Sequence, residues 1–171
     1  VTSALLGSVS FAVSARAESP VVVVTEESLD RSPGSRRRVV VGTDGSPEAS
    51  AAVDVAAHRA VTTSAPLEII ACTGGQRADD ADQHELLVTT GRIATSTADH
   101  VRATHPELAV RTRVEDRPAE VALIEASAAA DLVVVGTRGR GAFEGMMLGS
   151  VSQAVLNDAR CPVAVVGRGQ H

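Results

Sequence analysis

Four apolar runs govern what this chain can fold into: Val39–Thr43, Leu67–Cys72, Asp131–Val135 and Val163–Val166. Runs of this kind suit strands buried on both faces of a parallel sheet. The segments between them carry helical spacing. Ser46 is placed to cap a helix, with Pro47 at its first position and Glu48 in its first turn, followed by Val53, Ala56, Ala57, Ala60 and Val61 at helical intervals. A long helix is expected over Asp82–Ala103, with Gly91 a tolerable interruption, and shorter ones over Pro118–Ala129 and Ser150–Ala159. Leu108–Val114 mixes its apolar residues with Ala and Arg, as a strand near a sheet edge does. Five strands alternating with helices imply right-handed crossovers and an α/β, doubly wound, five-stranded parallel sheet of Rossmann-like type. Such sheets bind ligands beyond the carboxyl ends of their strands, which singles out Gly42–Ser46 and Gly136–Val151.

The chain also repeats its own ending near its beginning. When Leu6–Val24 is aligned with Leu148–Val166, twelve of nineteen positions are identical, and the Gly-Ser pair and the proline fall in register. Chance similarity between two Ala/Val-rich segments does not do that, and the spacing of 142 residues is about one small domain. Residues 1–24 are therefore read as the last helix and strand of an upstream repeat domain, residues 25–36 as a polar linker, and residues 37–168 as one complete domain. A secretory signal peptide is the competing reading, because Ala15-Arg16-Ala17 imitates a cleavage site. It lacks a basic leading region, a start methionine and a disulfide framework downstream.

Composition narrows the function. Two phenylalanines, no tyrosine and no tryptophan leave no stacking platform for single-stranded nucleic acid, and a net charge of −5 disfavours a phosphate backbone, so no nucleic-acid partner is expected. All sixteen basic residues are arginine. Without lysine there is no Schiff-base chemistry and no Walker A lysine, so a bound phosphate must be held by backbone amides, hydroxyls, arginine or a metal. Cys72 and Cys161 form no CxxC pair, which suits a reduced, cytoplasmic setting. No apolar run is long enough to span a bilayer.

The candidate site is the stretch GTRGRGAFEGMMLGSV. Gly136 ends a strand, Gly139 and Gly141 follow, and Gly149-Ser150 opens the next helix. Glycines there let the backbone approach a ligand, and a helix start offers unpaired amides and a favourable dipole for phosphate. Ser150 adds a hydroxyl; Arg138 and Arg140 add charge.

The series Gly136-x2-Gly139-x9-Gly149-Ser150 resembles the ATP-binding signature of the universal stress protein family, and VVVGTDGSPEA at Val39–Ala49 resembles that family's first strand and turn. The resemblance covers about residues 37–167 and is weak between Thr73 and His105. It implies ATP, with Mg²⁺ carried chiefly by the phosphates, lying over the carboxyl ends of the sheet. Gly42, Thr43 and Asp44 would then lie near the nucleoside, with the Asp44 carboxylate facing a ribose hydroxyl or an adenine edge. Cys72 would contact adenine in place of the commoner aliphatic residue. Val135 and Gly136 would border the nucleoside, while Gly139, Gly149, Ser150 and Val151 would hold the phosphates. Asp116 stands where glycine is expected, which affects a turn. The resemblance also implies tandem members and a last strand that pairs antiparallel, either across a homodimer or within the chain by laying Val21–Val24 against Val163–Val166.

Other candidates are weaker. His58, His84, His100 and His105 show no HExxH or Cys/His spacing, and His58 reads as a surface residue of an amphipathic helix. Asp79, Asp80, Asp82 and Glu85 read as a solvated loop, and Arg36–Arg38 as a solvated approach to a strand. Met146 and Met147 are expected to pack under the glycine loop. No histidine is placed to activate Ser150, so no catalytic residue is assigned. The expected function is an ATP-binding stress-response regulator. The alternatives are a slow ATPase or nucleotidyl transferase, and a scaffold that binds no nucleotide.

Overall fold

Strand β2 (Val39–Gly42) lies at the centre of the molecule because alternate residues feed two different cores. The computed structural model describes residues 7–25, 28, 38–75, 80–141 and 147–167. Val39 and Val41 point into one apolar cluster and Val40 into the other, and all three are almost completely buried. The same alternation in β5 (Leu132–Gly136) sends Val134 one way and Val133 and Val135 the other. Strands flanked by helices on both faces need this pattern, which explains why the runs are apolar throughout.

The first cluster is covered by α2 (Pro47–Thr62) and α3 (Asp80–Thr104), the second by α4 (Ala119–Ser127) and α5 (Ser150–Asp158). Helix α2 packs with alanines: Ala52, Ala56 and Ala60 are fully buried, and their small side chains let the helix axis approach the sheet. Its start is as expected. Ser46 Oγ accepts a hydrogen bond from the Ala49 amide at 3.2 Å, and Pro47 opens the first turn.

Strands β3 (Leu67–Cys72), β4 (Val110–Glu115) and β6 (Val163–Val166) complete the parallel part of the sheet. The full order is β1-β6-β5-β2-β3-β4, six strands rather than the five expected for the sheet. The sixth is β1 (Val21–Val23), which follows α1 (Ser8–Arg16) and runs antiparallel to β6. Val21 faces Val165, Val22 faces Ala164 and Val23 faces Val163. Val22 thus sits opposite the residue 142 positions further on, its own counterpart in the repeat, so a local two-fold axis passes between them. Of the two arrangements expected for this edge, the intramolecular one is present.

Strand β4 forms the other edge, as its mixed composition suggested, and an ion-pair ladder runs across it. Arg38 meets Glu68 at 2.7 Å, Arg113 spans Glu68 and Glu115, and Arg117 joins Glu115 at 2.7 Å to Glu125 at 2.6 Å. Arg38 is therefore not part of a solvated run; its Nε also donates to the Ala129 carbonyl. The Nε atoms of Arg113 and Arg117 sit at ion-pair distance from Glu115 without hydrogen-bond alignment. Charge at an edge strand discourages pairing with another chain.

Asp116 uses its side chain where a glycine was expected, accepting a 2.6 Å hydrogen bond from Thr73 Oγ1 and tying the β3 and β4 loops together. His58 is exposed, as expected. Most of the linker, Arg36, Arg37, Asp79 and Met146 lie outside the described residues. No described helix is long and apolar enough to cross a membrane.

Candidate functional site

The sheet's carboxyl edge opens into a cavity of about 300 Å³ where β2, β3 and β5 end. Its wall takes Gly42, Thr43 and Asp44 from the turn after β2, Cys72 from β3, and Val135 and Gly136 from β5. The loop beyond β5 adds Arg138, Gly139 and Arg140, and the start of α5 adds Gly149, Ser150 and Val151. All twelve residues singled out in the sequence thus come together. Gly141 of the glycine stretch lines it too, and five further lining residues were missed: Ala49, Ile70, Ala119, Leu123 and Ser152. Ile70 could have been found by strand alternation, two residues before Cys72. Ala119 and Leu123 share a helix face by their spacing of four, but nothing in the sequence says that α4 crosses this cavity.

One side of the cavity is apolar, built from Ile70, Cys72, Leu123 and Val135. Burial first, and then the negative charge of Glu115, pushes the Cys72 thiol from its ordinary 9.0 up to about 11. It is therefore a neutral, small apolar contact rather than a thiolate. Neither cysteine is in a disulfide.

The opposite side is polar backbone, and glycine is required there by close approach. A Cβ on Gly136 would stand 2.9 Å from the Glu48 carbonyl carbon, so only glycine lets the start of α2 rest on the end of β5. Gly149 is the N-cap of α5 and no side chain caps the helix, which leaves the first-turn amides of Ser150, Val151 and Ser152 without an intrahelical partner. Ser152 Oγ donates to the Gly136 carbonyl at 2.6 Å and fixes that helix start against β5.

Two backbone amides at this rim, one of them that of Gly149 expected at the phosphates, are already engaged. The Arg140 amide donates to Asp44 Oδ2 at 2.7 Å, and the Gly149 amide donates to the Thr137 carbonyl at 2.7 Å. The second bond ties the start of α5 to the residue after β5 and occupies the Gly149 amide. Both arginines lie at the rim. Arg138 Nη2 lies 4.0 Å from Glu48 Oε1, and Arg140 Nη2 lies beside Gly45, whose added Cβ would meet it at 3.6 Å. Met147 does not pack under the loop. It is 44% exposed, whereas Leu148 is fully buried in the second apolar cluster.

The sequence profile of the Universal stress protein family matches residues 35–167. The chain belongs to the universal stress protein family. Its curated relatives include the universal stress proteins Rv2005c and Rv1996 of Mycobacterium tuberculosis. Rv2005c is 36% identical over 165 residues, covering 94% of this chain and 56% of the relative. Rv1996 is 37% identical over 181 residues, covering 96% and 54%. The chain spans about half the length of the curated relatives it matches. Among solved structures, the universal stress protein UspA from Lactobacillus plantarum superposes with a TM-score of 0.63 at 21% identity, covering 78% of this chain and 99% of that one. A universal stress protein solved in complex with cAMP gives 0.58 at 28% identity, covering 79% and 99%. The superposed universal stress proteins share the α/β fold of this chain, in which β1 is the sixth strand of the sheet.

Proposed function

We propose that this universal stress protein domain binds an adenine nucleotide, ATP with Mg²⁺ by family resemblance, and acts as a regulatory module of a stress response. The observation that carries the reading is the two-sidedness of one cavity. Its apolar wall suits the flat face of a base, and its uncapped helix start suits an anion in a chain that owns no lysine. Gly42, Thr43, Asp44, Cys72, Val135 and Gly136 border the nucleoside in this reading. Arg138, Gly139, Arg140, Ser150 and Val151 serve the phosphates, with Gly149 shaping the turn. The complex of a 28% identical relative with cAMP supports the same ligand class. Mg²⁺ would arrive on the phosphates, since among the described residues no three His, Cys, Asp or Glu side chains converge. Binding rearranges Arg138–Arg140 at the cavity rim, and that rearrangement is what a partner surface would read.

Calorimetric titration with ATP and AMP tests the proposal. Saturable binding of either supports it, and no heat from both at millimolar nucleotide replaces it with the scaffold reading.

A further inference from the structure

The contact between Asp44 and Arg140 bears on how the site chooses its ligand, a question that rests on the nucleotide reading and deepens it. The two carboxylate oxygens of Asp44 do different work. Oδ1 accepts the Ser46 amide of its own turn at 2.9 Å, whereas Oδ2 accepts the Arg140 amide at 2.7 Å, across 96 residues of chain. Gly139 is built around that bond: an added Cβ would stand 2.5 Å from Asp44 Oδ2. All three residues line the cavity.

An amide has one hydrogen. Sharing it in a three-centre bond weakens both contacts, so the Arg140 amide donates at full strength to the Asp44 carboxylate or to a phosphate oxygen, not to both. If the amide leaves, Oδ2 exchanges a charge-assisted bond for water and keeps its negative charge beside the arriving phosphate. A sugar hydroxyl donating to Oδ2 removes that cost.

We propose that Asp44 and Arg140 form an exchange switch that admits ligands carrying a sugar hydroxyl and a phosphate on the same molecule. The hydroxyl takes the place of the amide on Asp44, and the freed amide turns to the phosphate. Neither half of the ligand achieves this alone. A nucleoside leaves the Arg140 amide on its carboxylate, and an inorganic polyphosphate meets an amide that is already bonded and a carboxylate that repels it.

The test combines amide NMR of the full chain with calorimetry, using ATP, adenosine and tripolyphosphate as probes. ATP is expected to move the Arg140 amide resonance strongly, while adenosine shifts other cavity amides and leaves Arg140 in place. Tripolyphosphate is expected to bind Asp44→Ala about tenfold more tightly than wild type, the worth of one charge-assisted bond plus the lost repulsion. Asp44→Asn separates the two causes because it keeps an acceptor without the charge. Its affinity for tripolyphosphate stays nearer wild type if the bond matters, and equals that of Asp44→Ala if charge alone does. Equality of the two variants overturns the switch, as does an Arg140 resonance that stays still while ATP moves other cavity amides. If ATP moves no cavity amide at all, the nucleotide reading itself falls and the switch falls with it.

Discussion

Gly136 shows how tightly single residues are specified here. Its missing side chain leaves room for the backbone of Glu48, and backbone cannot step aside as a flexible side chain would. Gly136→Ala is expected to lower stability by about 1–3 kcal/mol through overpacking, measured by urea denaturation. Gly42→Ala meets only the tip of Leu123, at 2.9 Å, which can rotate, and should cost less. Cys72 makes a different prediction. With its thiol raised to about 11, alkylation at pH 8.5 should run roughly tenfold or more slower than for an exposed cysteine. The sign for stability comes from the same shift. A raised folded value contributes stability that is complete below the ordinary 9.0 and is lost as pH climbs through about 11. The glycine spacing and Asp44 were visible in the sequence because motif residues must recur at fixed separations. The bond from Arg140 to Asp44 was not, since a backbone amide has no letter of its own and the two ends lie 96 residues apart.

Local signals set the helices and strands, and those signals were readable. The cap at Ser46, the proline after it and the alternation of β2 all act within a few residues. Ser46→Ala is expected to cost about 1 kcal/mol, read as a shift in denaturation midpoint. The ladder beside β4 was not readable, because its members come from the residue before β2, from β3, β4, the loop after β4 and α4, and meet only once the sheet has set their register. Hydrogen bonding to Arg117, followed by that residue's charge, holds the Glu125 carboxyl below its ordinary 4.5. A depressed folded value gives stability that is present above 4.5 and disappears as pH falls through the folded value. Acid titration of unfolding should therefore show a smaller loss below pH 4.5 in Glu125→Gln than in wild type.

At the scale of the whole molecule, β1 decides what the sheet exposes. It covers the outer edge of β6 in a register that pairs each repeat with its own image, and it leaves Val22 54% and Val13 49% exposed on the outside. The family resemblance, applied to the repeated strand, implied this pairing, while composition alone would have left a five-stranded sheet. Val23 packs against the second apolar cluster, so Val23→Asp should loosen β1 and bare the β6 edge. Concentration-dependent self-association of that variant in sedimentation is the expected result, and a variant that behaves as wild type would show that β1 does not guard the edge.

The same architecture places one thiol inside the cavity and one outside it. Cys72 lines the space assigned to the base, while Cys161 is buried in the core elsewhere and serves as an internal reference. Alkylation of both, followed by mass spectrometry across a titration with ATP, asks whether the nucleotide sits where the fold points. Saturable protection of Cys72 with no change at Cys161 is the predicted result. An alkylation rate at Cys72 that ignores ATP at concentrations where calorimetry registers binding would contradict it.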